Sequence, residues 1–94
     1  MVKHIIFWEL NDGVDAQAAA ADLRERFKGL MGVVDGLISI EVGVPKGDKP
    51  RLVLYSEFTS WEALDGYQVH PDHIAIKSVV HAIVCGRQCC DYEI

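Results

Sequence analysis

The chain has 94 residues, enough for one small hydrophobic core, and reads as a single domain over 1–94. Apolar residues make up 50% and charged residues 24%, a balance that excludes a disordered tail and fits a packed globule. The net charge is −5 and the nine basic residues are scattered apart from Arg24, Arg26 and Lys28, which excludes a nucleic-acid surface built on clustered cations.

Val2 to Leu10 predicts a strand with Val2, His4, Ile6, Trp8 and Leu10 on one face. Lys3, Ile5, Phe7 and Glu9 fall on the other, and Asn11-Asp12-Gly13 is a turn signal that ends it. Asp15 is a good N-cap for a helix over Ala16 to Met31, where Ala16, Ala19, Ala20, Leu23, Phe27 and Leu30 carry the spacing of a buried stripe. The basic trio sits near the end of that helix, where the dipole favours positive charge, and Gly32 is a natural stop.

Leu37 to Val44 predicts a second strand, with Ile38, Ile40, Val42 and Val44 sharing a face. A short loop bracketed by Pro45 and Pro50 joins it to a third strand, Arg51 to Phe58, as an antiparallel hairpin. Thr59-Ser60-Trp61-Glu62 fits a capping box and opens a helix from about Ser60 to Val69. Pro71 suits the first turn of a new helix, which makes His70 the junction and carries that helix to about Ile83. Gly86 breaks the pattern before a last strand over Arg87 to Ile94.

The order is β-α-β-β-α-β with the second helix broken at proline: an α+β, ferredoxin-like arrangement with a four-stranded antiparallel sheet and both helical layers on one face. Ile5, Phe7, Val53 and Tyr55 then lie on the uncovered face. A homodimer packed sheet against sheet, a dimeric α+β barrel, is the simplest way to cover it. No segment reaches the ~20 apolar residues of a membrane-spanning helix, and the first residues lack a signal-peptide pattern. Cys85, Cys89 and Cys90 match neither a disulfide framework nor a zinc spacing, and read as reduced fillers of a cytoplasmic protein.

Several stretches then converge: Val2-Lys3-His4-Ile5-Ile6, Asp12-Gly13-Val14, Ser56-Glu57-Phe58 with Ser60-Trp61-Glu62-Ala63-Leu64, Tyr67-Gln68-Val69-His70-Pro71-Asp72-His73, and Asp91-Tyr92-Glu93. With them the whole chain resembles the stress-responsive α/β-barrel (Dabb) domain family, the tyrosine followed by His-Pro-x-His being the most specific feature. The resemblance implies a dimeric barrel with a cavity between sheet and helices in each subunit. The family includes heat-stable plant stress proteins and a plant polyketide cyclase. In cyclase-like members the matching tyrosine and second histidine carry an aldol-type cyclisation without metal or organic cofactor, which places the acid–base pair at Tyr67 and His73. It also places ligand contacts at His4, Ile6, Trp8, Leu23, Phe27, Leu54, His70 and Ile76. The large ring of Trp8, and Arg24 at an expected apolar wall position, depart from the cyclase pattern and count against a long-tailed polyketide.

The chemistry is consistent with that assignment. A histidine in the first turn of a helix faces the positive end of the dipole, so His73 is expected to be neutral and able to accept a proton. Tyr67 can donate its phenolic hydrogen to a carbonyl oxygen as charge develops there. A base and a donor in an apolar cavity suffice to form and hold an enolate, and the expected ligand is a small apolar carbonyl compound. The alternative is a non-catalytic stress or assembly protein in which His-Pro-x-His only makes the bend, with His70 capping and His73 bonded to backbone. A third reading, among the cofactor-independent monooxygenases and muconolactone-isomerase-like enzymes, has the Tyr-x-x-His-Pro-x-His motif against it.

Overall fold

The computed structural model describes all residues from Met1 to Ile94. Its elements are β1 (Val2–Leu10), α1 (Ala16–Lys28), β2 (Leu37–Gly43), β3 (Arg51–Phe58), α2 (Trp61–Val69), α3 (Pro71–His81) and β4 (Val84–Glu93). The strands form one antiparallel sheet in the order β2-β3-β1-β4, the ferredoxin-like topology expected from the element order.

The pleat of β1 sets the plan of the molecule. Val2, His4, Ile6, Trp8 and Leu10 are buried under the helices, whereas Ile5 is half-exposed and Phe7 is 53% exposed on the opposite face. β3 repeats this, burying Leu52, Leu54, Ser56 and Phe58. From the helices, Ala20, Leu23, Phe27, Leu64, Ile76 and Val80 complete one continuous core. Burying a side chain such as Leu or Phe contributes roughly 1.5–3 kcal/mol, so this single layer carries most of the fold's stability.

The ends of the elements follow local chemistry, with several shifts from the expected bounds. Asp15 Oδ1 accepts from the Ala18 amide at 3.1 Å and starts α1 as anticipated. That helix stops at Lys28 rather than Met31, and buried Leu30 and Val34 anchor the turns that follow. α2 is capped by Ser60, whose Oγ accepts from the Ala63 amide at 3.1 Å. Thr59 is therefore outside the helix, Glu62 stands two residues past the cap instead of three, and the reciprocal half of a capping box does not form.

Two strand predictions also need correction. Leu37 pairs with Phe58 and Ser39 with Glu57, so Ile38 is an extra residue in a bulge. Ile38 is exposed and Leu37 is buried in its place, while Ile40 and Val42 keep the expected face. Likewise β4 begins at Val84, not Arg87, because α3 ends at His81; Gly86 lies inside the strand, and a second register shift leaves Cys85 unpaired between Val84 and Gly86. None of the helices is long and apolar enough to cross a membrane.

Candidate functional site

His70 makes the joint on which the site depends. A residue before proline is pushed towards extended backbone, and His70 adopts φ −65°, ψ 133° between α2 and α3. Its Nδ1 accepts from the Asp72 amide at 3.1 Å, so it caps α3 while Pro71 occupies the first turn, where no amide hydrogen is needed. The bend brings His73 back over Tyr67. Their rings stack with centroids 3.8 Å apart and 22° from parallel. The Tyr67 carbonyl accepts from His73 Nδ1 at 3.0 Å, which places the hydrogen on Nδ1 and, in the neutral ring, the free lone pair on Nε2.

Burial and the Lys77 ammonium pull the pKa of His73 down to about 4, so the ring is neutral near pH 7. The expectation of neutrality therefore holds, but desolvation is its leading cause. Burial pushes the Tyr67 phenol well above its ordinary range, which keeps it a hydrogen-bond donor. Tyr67 is fully buried and its hydroxyl has no hydrogen-bond partner. Leaving such a group unsatisfied costs about 1–3 kcal/mol, and Arg51 Nε is the one other buried side-chain polar atom without a partner.

His4 closes the cluster from the sheet. It is 1% exposed, its ring meets that of Tyr67 edge-on at 6.0 Å, and its Nδ1 donates to Asp91 Oδ1 at 2.5 Å across the β1–β4 pairing. The carboxylate fixes the ring's orientation. Cys89 lies alongside, its Sγ 3.8 Å from His4 Nδ1 and 3.5 Å from Asp91 Oδ1. His4, Cys89 and Asp91 thus gather nitrogen, sulfur and oxygen donors that no sequence spacing had indicated. They do not fit a metal as they stand: Nδ1 and Oδ1 bond each other directly, whereas two ligands of one tetrahedral zinc lie about 3.3 Å apart. Burial and the neighbouring Asp91 also hold Cys89 as the thiol.

A cavity of about 260 Å³ opens between β1, β4 and α3, close to the ~300 Å³ lower end of small-molecule pockets. His4, Ile6, Trp8, Phe27, Leu54, His73 and Ile76, all expected there, line it. Three expected residues do not. Leu23 is packed into the core at 1% exposure, His70 is spent on capping, and Tyr67 lies behind His73. Arg24 also stays clear, its Nε donating to the Val42 carbonyl at 2.9 Å. The wall adds apolar Val80 and Val84 and polar Gln68, Lys77, His81 and Arg87, none of which belongs to the expected ligand contacts. Arg87 could have been found by carrying the β4 alternation back from Asp91 through Cys89, since all three share the face of Trp8, Ile6 and His4.

A ferredoxin-like α+β fold with a histidine-lined cavity between sheet and helices is thus the class of protein that the structure defines. The chain belongs to the stress-responsive A/B barrel (Dabb) domain family, whose model matches residues 2–94. Among solved structures, a dimeric ferredoxin-like protein of unknown function from Bacteroides fragilis is 30% identical, with a TM-score of 0.86 over 99% of this chain and 95% of its own. An Arabidopsis thaliana protein is 20% identical, with a TM-score of 0.82 over 100% and 95% of the two chains. A putative antibiotic biosynthesis monooxygenase from Nitrosomonas europaea is 14% identical, with a TM-score of 0.82 over 100% and 98%, a likeness of fold alone. No curated protein matches the chain in sequence.

Proposed function

We propose that each subunit of a homodimer binds a small, mainly apolar carbonyl compound in the His4–His73 cavity. His73 then acts as base and Tyr67 as hydrogen-bond donor in a cyclisation or isomerisation that needs no cofactor. The observation that carries this reading is the Tyr67 hydroxyl, a buried donor with no partner, directly behind a neutral histidine on the cavity wall.

In this scheme His73 Nε2 takes a proton from a carbon next to a carbonyl. The oxygen of the resulting enolate accepts the Tyr67 hydrogen bond. In a cyclisation the carbon then bonds to a second carbonyl carbon, whose oxygen takes the proton back from His73; in an isomerisation His73 returns the proton to a different carbon of the enolate. A base with a pKa of about 4 is weak, so the substrate must have an acidic C–H, as between two carbonyl groups. Tyr67 has no exposed surface, so the rings of His73 or His4 must shift for its hydroxyl to meet a ligand oxygen.

The dimer rests on the uncovered sheet face. Phe7 at 53% and Tyr92 at 41% stand exposed there, and half-exposed Ile5, Val53 and Tyr55 share the same face. Nearly all of β4 is exposed as well, and the Bacteroides fragilis relative is dimeric. Three free thiols suit the reducing cytoplasm, where we place the protein.

The test is to titrate the protein and its Tyr67→Phe and His73→Ala variants with aliphatic 1,3-diketones, following the methyl resonances of Ile6, Leu54 and Ile76. Binding that weakens in both variants supports the pair. Binding unchanged in both variants, with no turnover in the parent protein, favours the second reading, a non-catalytic stress or assembly protein. One observation supports that reading: His73 Nδ1 is tied to backbone, as a purely structural bend requires.

A further inference from the structure

The cavity has the opposite charge character from the chain that forms it. Acidic residues outnumber Lys and Arg by 14 to 9 overall, yet the 13 residues lining the cavity include Lys77, Arg87 and three histidines and no Asp or Glu. We infer that its ligand is an amphipathic carboxylate, the acid head held by Lys77 and Arg87 at the rim and the apolar body lying against Ile6, Leu54 and Ile76. This deepens the reading above and rests on the cavity being a ligand site.

The two cations are placed for that role. Arg87 is exposed and Lys77 half-exposed, while Ile6 and Ile76 are each 6% exposed and Leu54 is 1%, so charge is at the mouth and hydrocarbon at the base. Neither cation is used in an ion pair; the ion pairs that Lys and Arg make are Lys3–Glu57 and Arg26–Asp22. Lys77 Nζ donates to the Gln68 carbonyl at 3.1 Å, which steadies the ammonium and leaves two of its three hydrogens for a ligand. The guanidinium of Arg87 matches a carboxylate in two-point geometry. Asp91, on the same face of β4 as Arg87, is bonded to His4 and does not line the cavity, and Glu9, which borders a neighbouring hollow with Arg87, does not line it either. The Lys77 charge also helps keep His73 neutral, so a carboxylate seated beside it would offset that field and make His73 a stronger base.

The experiment compares hexanoate, hexanamide and hexylammonium, which share one tail, by calorimetry and by the methyl resonances of Ile6, Leu54 and Ile76. The expected result is that hexanoate binds at least about tenfold more tightly than hexanamide and that hexylammonium does not bind. Lys77→Gln with Arg87→Gln, both at the rim and outside the core, should bring acid and amide within about threefold of each other. Equal affinity of acid and amide in the parent protein, with the methyls shifted by both, overturns the carboxylate and leaves the cavity reading standing. If no compound shifts the methyls, the cavity reading falls and the carboxylate falls with it.

Discussion

The carbonyl of Tyr67 binds the ring of His73 that stacks on its own side chain, so one residue both orients the histidine and seals itself behind it. The link exists because Pro71 ends α2 and lets α3 begin only one residue after it. Any shift of the proline joint is therefore felt at the ring stack.

His73 makes stability fall with acid over a defined window. Its ordinary pKa of about 6.5 applies to the unfolded chain and about 4 to the folded one. Between those values the unfolded state binds more protons, so stability is fully present above about pH 6.5 and is lost as pH falls towards 4. Urea midpoints at pH 7 and pH 5 should drop in the parent protein, and the drop should shrink in His73→Gln.

Tyr67→Phe should cost little stability, or raise it by about 1 kcal/mol, because it removes a buried donor with no partner. The same change should weaken binding of carbonyl ligands. Urea unfolding and ligand titration on the same sample check both. A large loss of stability would show that the hydroxyl is satisfied in solution.

Much of this site can be read from the chain because it depends on local rules. The alternation of β1 puts His4, Ile6 and Trp8 together, and the proline fixes the joint at His70. What the sequence concealed depends on register. A bulge at Ile38 reverses the face of Leu37, and the shift near Cys85 hides where β4 begins. The alternation of β4 carried the face of Arg87, but the contact of Asp91 with His4, 87 residues away, had no local signature. The sealing of Tyr67 follows from the ring stack, which spacing alone does not encode.

Asp91→Ala should destabilise the fold by about 1 kcal/mol, since it leaves the buried His4 Nδ1 without its acceptor. The loss is at the low end because the Asp91 side chain is 30% exposed and water can partly replace it. A double-mutant cycle with His4→Ala isolates the pair.

Gly36→Ala should be more damaging, by about 2–4 kcal/mol. Gly36 sits at φ +80°, and an added Cβ would stand 2.5 Å from Ala63 Cβ and 2.6 Å from Thr59 Oγ1. The start of β2 would be forced off α2, and thermal unfolding should report it directly.

Phe7→Glu places a charge in the middle of the uncovered sheet face. Light scattering at micromolar concentration should find the parent protein dimeric and the variant monomeric. A parent protein that is already a monomer contradicts the sheet-to-sheet dimer.

The acid–base role of Tyr67 and His73 is tested by deuterium exchange into a 1,3-diketone in heavy water, followed by proton NMR with and without the protein. The expected result is that the protein accelerates loss of the signal from the carbon between the carbonyls, and that His73→Ala and Tyr67→Phe each remove the acceleration. No acceleration, or acceleration that survives both changes, would contradict an acid–base role for this pair.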